Sequence, residues 1–213
     1  MDRDMKWYTD VFPDLCKVYP KKRISIGSAA VEHFKIDRHG ATMWLIQHRE
    51  RVFEGSYVRL TINNETVMSD TYMERASNLG FARRANGRVL VAGLGLGMVL
   101  FPLMKKKEVS EVDVLESNMD VIRLVGPYVQ HKKIHILHED TLEFKPPRST
   151  KWDTIWFDIW PGRSTDNLKD VAKLHHRFKY HVNRANPAAS MDSWYARQLR
   201  AERKSEMARG GLW

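Results

Sequence analysis

Apolar and polar positions along this 213-residue chain follow two regimes. Over the first 70 residues the apolar runs are short and bounded by turn residues. Residues 23–27, 30–36 and 41–47 read as strands, the last two flanking Asp37-Arg38-His39-Gly40 as a hairpin turn. Residues 57–62 and 66–68 flank a second turn signal, Asn63-Asn64-Glu65. The pattern predicts a small antiparallel sheet, with Trp44 and Phe53 packing it down.

From residue 71 the period changes. Thr71 and Glu74 fit a capping box, and Tyr72, Ala76 and Leu79 form the apolar stripe of a helix. Asn86-Gly87 breaks the chain before a core strand at 88–92. The next helix is apolar at first and ends in Lys105-Lys106-Lys107, where positive charge suits the helix dipole; Pro102 kinks it or limits its regular start. A strand at 111–115, a helix at 119–125 stopped by Gly126-Pro127, and strands at 133–137 and 154–157 follow. Leu168, Val171, Leu174 and Phe178 mark an amphipathic helix over 166–180, before a brief strand at 190–194 and a terminal helix at 195–207. Strands alternating with helices predict an α/β fold with a mostly parallel, Rossmann-like sheet. The division expected is a β-rich segment over residues 1–70 and a ligand-binding domain over 71–213. The antiparallel hairpin that often completes such sheets is expected to be missing, which makes the fold truncated at its C-terminal end.

Composition narrows the setting. Cys16 is the sole cysteine, so an intrachain disulfide is impossible and a cysteine zinc site is disfavoured; no metal is expected. The start lacks a signal-peptide pattern, and the longest apolar stretch, 89–104, falls short of a membrane span. A cytoplasmic protein without membrane contact is the expectation. The formal charge of +9 permits nucleic-acid binding, but the basic residues are scattered in short groups. A small-molecule substrate is the leading expectation.

Candidate chemistry centres on Gly93-Leu94-Gly95-Leu96-Gly97, directly after the apolar run at 89–92. Glycines at one-residue spacing let backbone turn tightly and approach a ligand, with a helix N-terminus behind. Glu116 closes the next strand, where a carboxylate can accept both hydroxyls of a ribose; the alternative is an exposed strand-end acid. Asp140 follows the third strand and can accept from an adenine amino group, supported by Thr141, or can cap a helix. Asp158 ends the fourth strand in Trp156-Phe157-Asp158-Ile159-Trp160-Pro161-Gly162. All these acids fall at carboxyl ends of strands, the edge where open sheets bind ligands.

In this order the features over residues 88–162 resemble class I S-adenosylmethionine-dependent methyltransferases, and among them the spermidine-synthase-like branch. Val91 before the first glycine, Leu115-Glu116 with Asp120-Val121-Ile122, and Ser69-Asp70-Thr71-Tyr72-Met73-Glu74 carry that likeness. The resemblance implies a Rossmann-like class I methyltransferase fold and S-adenosylmethionine as cofactor. It implies that Gly93, Gly95 and Gly97 line the methionine and ribose, that Glu116 holds the ribose, and that Asp140 holds the adenine. Asp158 would lie beside the transferable group, with Trp156 or Trp160 near the sulfonium or serving only as core. The branch often dimerises through its N-terminal segment, so a homodimer is implied.

The chain departs from the aminopropyltransferase pattern at three points. Leu96 stands where an acid is expected between the second and third glycines, Thr71 where one follows Asp70, and Trp160 where one precedes Pro161. A diamine needs several fixed carboxylates, because unpaired buried charge is costly. Methyl transfer asks less, since the sulfonium is an activated donor and alignment supplies much of the catalysis. The reading is therefore a methyltransferase of unassigned acceptor, with Asp158 as base and Tyr72 or Asp70 as orienting partner. Aminopropyl transfer, cleavage of S-adenosylmethionine, and non-catalytic cofactor or nucleic-acid binding are the alternatives. His175 and His176 are adjacent on one helix and cannot face one metal, and His135 and His138 do not share a strand face.

Overall fold

The computed structural model describes residues 10–48 and 52–210. A short helix α1 (Leu15–Val18) leads into an antiparallel sheet of β1 (Ile24–Ile26), β2 (Ala29–Ile36), β3 (Gly55–Ile62) and β4 (Glu65–Ser69), in that spatial order. β3 and β4 are joined by two residues, Asn63 and Asn64, both at positive φ (52° and 65°). That is the turn geometry whose twist matches a hairpin, and asparagine tolerates it. Glu65 belongs to the strand rather than the turn.

One predicted strand is a helix. α2 (Arg38–His48) occupies the stretch read as strand 41–47, and β2 pairs with β3 instead, from Ala29↔Ile62 to Ile36↔Gly55. The reason is local. The Asp37 carboxylate accepts the Gly40 N–H at 2.7 Å, and the Asp37 carbonyl accepts Ala41 N–H at 2.9 Å, so Asp37 starts a helix where a turn was expected. Trp44 lies exposed on α2, away from the buried core; Phe53 packs edge-on against Tyr72 at 4.8 Å.

The second sheet is wholly parallel, with order β7-β6-β5-β8-β9. Its strands are β5 (Gly87–Ala92), β6 (Val109–Glu116), β7 (Ile134–His138), β8 (Thr154–Phe157) and β9 (Ser190–Ser193). Connecting helices are α3 (Tyr72–Arg84), before β5, then α4 (Leu100–Lys105), α5 (Met119–Val125) and α6 (Asn167–Phe178); α7 (Ala196–Gly210) ends the described chain. An open parallel sheet in this order, preceded by a small antiparallel sheet, is the Rossmann-like arrangement of class I methyltransferases. Pro102 sits in the first turn of the six-residue α4, where its missing N–H breaks no helical bond.

The central strands bury both faces, as parallel strands must. Val89 and Val91 face one core, shared with Val31, Val58 and Leu60 of the antiparallel sheet and with Val121 and Leu124 of α5. Leu90 and Ala92 face the other, with Ile155, Phe157, and Leu174 and Phe178 of α6. The antiparallel sheet is also tied to α5 through Asp120, whose carboxylate accepts the Ser28 N–H at 2.9 Å and its hydroxyl at 3.0 Å. Among the described residues no helix is long and apolar enough to cross a membrane.

α3 carries the least expected packing. Thr71 is its N-cap residue but makes no side-chain cap bond; its hydroxyl meets Ser69 Oγ at 3.1 Å instead, so the capping box does not close. Arg75 is buried and donates to Asp70 Oδ2 at 2.7 Å, while Asp70 Oδ1 accepts Val58 N–H at 2.7 Å. Arg75→Ala would leave the Asp70 carboxylate buried without its counter-ion. We expect a loss of ~3–5 kcal/mol in urea unfolding, several times that of an exposed ion pair.

Candidate active site

Because the strands of the second sheet are parallel, the features ending β5 to β9 emerge on one edge. There they surround a cleft of about 440 Å³. Its floor is the loop after β5. Gly93, Gly95 and Gly97 hold φ of 97°, 50° and 67°, the left-handed region that side chains disfavour. All three also lack room for a Cβ, Gly97 because Val129 Cγ1 would lie 2.5 Å away. At Gly93 it would stand 2.1 Å from the Asp158 carbonyl oxygen, and at Gly95 2.2 Å from the Met68 sulfur. The loop is clamped from the antiparallel side. Leu96 N–H donates to Met68 Sδ at 3.2 Å, and the Tyr19 hydroxyl donates to the Leu96 carbonyl at 2.8 Å.

Glu116, at the end of β6, bridges the loop and the next helix. Its Oε2 accepts Leu94 N–H at 2.9 Å and its Oε1 accepts Asn118 N–H at 2.8 Å. Two backbone donors fix its orientation while each oxygen keeps a lone pair for a ligand in the cleft. Asp140, exposed beyond β7, closes a local turn by accepting Leu142 N–H at 2.8 Å through Oδ1. The buried Thr141 follows it, and Arg177 of α6 holds this segment by donating to the carbonyls of Thr141, Leu142 and Phe144.

Asp158, beyond β8, has its ionisation changed by the fold. Burial raises its carboxyl from 3.8 to about 7, against a hydrogen bond from Asn78 that lowers it. Asn78 was not foreseen from sequence. On α3 its Oδ1 accepts the Trp156 indole N–H at 3.1 Å, its Nδ2 reaches the Glu74 carbonyl at 3.1 Å, and its side chain bonds Asp158. Trp156 is further held by stacking on Phe81, ring centroids 5.0 Å apart and 6° from parallel. The Trp160 indole Nε1 is buried and has no protein acceptor among the described residues.

The sequence candidates divide by position. Gly93, Gly95, Glu116, Asp140, Thr141, Asp158 and Trp160 all line the cleft. Gly97 lies under the loop, its α-carbon face against Val129. Tyr72 is stacked on Phe53, and Asp70 is engaged by Arg75 and Val58; neither lines the cleft. Glu74, Met68 and Trp194 line it without having been singled out as site residues. For Glu74 the capping-box position was legible, but its direction into a cleft was not.

The electrostatic character of the cleft is one-sided. Glu74, Glu116, Asp140 and Asp158 contribute four carboxyl groups to its lining, and among the described residues no lysine, arginine or histidine lines it. This occurs on a chain of formal charge +9. No cluster of three His, Cys, Asp or Glu side chains suited to a metal is found among the described residues.

No protein-family profile and no curated protein sequence matches the chain. Solved structures similar to parts of it include a spermidine synthase from Thermotoga maritima, at 13% identity over 72% of this chain and 51% of that one, TM-score 0.43. Others are an S-adenosylmethionine-dependent methyltransferase from Leishmania major (14% identity, 55% and 47% covered, TM-score 0.43) and the CcbJ methyltransferase from Streptomyces caelestis (15%, 55% and 46%, TM-score 0.43). The chain spans about half the length of each.

The raised Asp158 carboxyl has a signed consequence for stability. A folded-state pKa above the unfolded value means the folded protein holds the proton more tightly, so stability is fullest below about pH 4 and is lost as pH rises through about 7. Asp158→Asn removes that contribution. Urea midpoints compared from pH 4 to 8 should show the wild type losing up to ~1.4 kcal/mol per pH unit relative to the variant, with the difference levelling above pH 7.

Proposed function

We propose that the chain is an S-adenosylmethionine-dependent methyltransferase acting on a small molecule. The observation that carries this reading is a glycine-floored cleft at the strand ends, lined by carboxyls and, among the described residues, by no cationic side chain. A glycine loop of this kind also suits dinucleotides, but a pyrophosphate brings negative charge among four carboxyl groups. S-adenosylmethionine brings a sulfonium and an ammonium, both positive. The same field disfavours nucleic-acid phosphate inside the cleft.

Residues present fit such a ligand. Gly93 and Gly95 provide side-chain-free backbone for the methionine and ribose, with Gly97 holding the loop beneath them. Glu116, already oriented by Leu94 and Asn118 N–H groups, has lone pairs for two ribose hydroxyls. Asp140 keeps its second oxygen for the adenine edge, beside Thr141. Trp156 and Trp160 present indoles toward a positive sulfur. When bound, the sulfonium supplies an electrophilic methyl group. Asp158, titrating near neutrality, accepts the proton of an acceptor nucleophile, and Asn78 orients its carboxyl. In this reading Asp70 and Tyr72 act at a distance, by fixing the start of α3. In the β-rich segment, Tyr19 and Met68 supply the wall over the loop, and the domain that begins at residue 71 holds the cofactor.

Isothermal titration calorimetry with S-adenosylmethionine tests the reading. The wild type should bind, and Glu116→Ala should weaken binding about 10- to 100-fold, the equivalent of ~1.4–2.7 kcal/mol for two lost hydrogen bonds. Turnover should release S-adenosylhomocysteine. Methylthioadenosine would instead indicate aminopropyl-type or cleaving chemistry, and absence of binding by a folded protein would overturn the proposal.

A further inference from the structure

The cleft has two ends, separated by β5. Glu116 and Asp140 follow β6 and β7 on one side of it; Asp158 and Trp194 follow β8 and β9 on the other. Three tryptophans of this second end line the cleft: Trp156 in β8, Trp160 after it, and Trp194 after β9. Two of their indoles are committed to α3. Trp156 donates to Asn78 Oδ1 at 3.1 Å, and Trp194 donates to Ser77 Oγ at 2.9 Å. Trp160 differs, because its Nε1 is buried and has no hydrogen-bond acceptor among the described residues. Such a donor is rare in a folded protein and points to a partner the protein does not itself supply. Asp158, two residues earlier in the chain, brings an acceptor. Its carboxyl bonds Asn78, and a carboxylate has lone pairs for more than one donor.

Resting on the methyltransferase reading, we propose that this second end binds the acceptor, that the acceptor is a phenol, and that Trp160 selects it. The hydroxyl donates to Asp158 and accepts from Trp160 Nε1, while the ring lies against the tryptophans. Nε1 is covered by protein, so the Trp160 indole turns toward the cleft as the ligand enters. A donor and an acceptor side by side ask for one ligand atom that both donates and accepts, and a hydroxyl oxygen does so. An ammonium has no lone pair for Trp160. A carboxylate has no proton for Asp158 and brings like charge to it. An apolar ligand leaves both polar groups desolvated without compensation. Among hydroxyls, a phenol also offers a flat face to the indoles. Its proton leaves at about pH 10, as that of tyrosine does, far more readily than the proton of an alkyl alcohol. Burial, which holds the Asp158 carboxyl at about 7, narrows the gap to such a proton donor.

The reaction closes without another reagent. The hydroxyl proton moves to the Asp158 carboxylate. The oxygen forms a bond to the methyl carbon as the carbon–sulfur bond breaks, its electrons leaving with sulfur. The Trp160 N–H steadies the charge that gathers on the oxygen before that bond is complete. The products are an aryl methyl ether and S-adenosylhomocysteine, and Asp158 returns its proton to solvent.

Three small aromatic probes separate the hydroxyl from fit and charge: p-cresol (hydroxyl), p-fluorotoluene (neither donor nor charge) and benzylamine (cationic). Titrated by NMR into the full chain with saturating S-adenosylhomocysteine, p-cresol should bind at least tenfold more tightly than either of the others. Trp160→Phe, which keeps a ring and removes the N–H, should cost p-cresol at least fivefold while leaving p-fluorotoluene and S-adenosylhomocysteine unchanged. Equal or reversed ranking, no binding of any probe, or indifference of p-cresol to Trp160→Phe overturns the inference, while bound S-adenosylhomocysteine keeps the methyltransferase reading standing. Failure of S-adenosylhomocysteine to bind sinks that reading instead, and the probe ranking on the protein alone then decides the hydroxyl site. If Trp160→Phe does not fold, the wild-type indole N–H signals decide. One of them should move with p-cresol and stay with p-fluorotoluene, and a set indifferent to p-cresol overturns the inference.

Discussion

Everything at the cleft depends on a backbone that can go where side chains cannot. At Gly93 the chain turns at positive φ with the Asp158 carbonyl against its α-carbon, and at Gly95 it does so against the Met68 sulfur. A Cβ at either point would push β8's outgoing loop or the β3–β4 hairpin away from the floor. Close approach at these two points lets the Leu96 amide and carbonyl be held by Met68 and Tyr19. It also places the Leu94 amide on Glu116. One steric allowance thereby connects the antiparallel sheet, the parallel sheet and an acid that lines the cleft.

Charge is the second organising constraint. A strongly basic chain that gathers four carboxyl groups in one cleft, without a cationic side chain in its lining among the described residues, has built a local field opposite to its overall one. The fold keeps its permanently paired acids elsewhere. Asp70 is held by Arg75, and Asp120 by Ser28, so neither contributes to that field at the site. Asp158 is different because burial, not a counter-ion, dominates its ionisation. It is held by an uncharged amide, which leaves it free to exchange a proton. That contrast separates acids fixed by a partner from one whose ionisation is set by burial.

Errors of sequence reading had identifiable physical sources. Asp37-Arg38-His39-Gly40 carries the residues of a turn, but an aspartate that accepts an amide three residues on equally begins a helix, and only the pairing of β2 with β3 decides between them. Thr71 and Glu74 matched a capping box, yet Ser69 lay close enough to take the Thr71 hydroxyl. Asn78 had no visible signal. A buried asparagine on α3 looks like a solvated one until Trp156 and Asp158 arrive from strand β8, nearly 80 residues later.

What the sequence by itself determined was local or periodic. The alternation of apolar runs located all five strands of the parallel sheet and the helices around it. Glycine spacing located the loop, and the acids Glu116, Asp140 and Asp158 were legible because parallel strands place their carboxyl ends on one edge. Tertiary structure alone decided which other side chains join them. Glu74, Met68 and Trp194 reach the cleft because α3, the β3–β4 hairpin and the end of β9 converge there. Their direction depends on packing between segments far apart in the chain, and no short-range pattern encodes it.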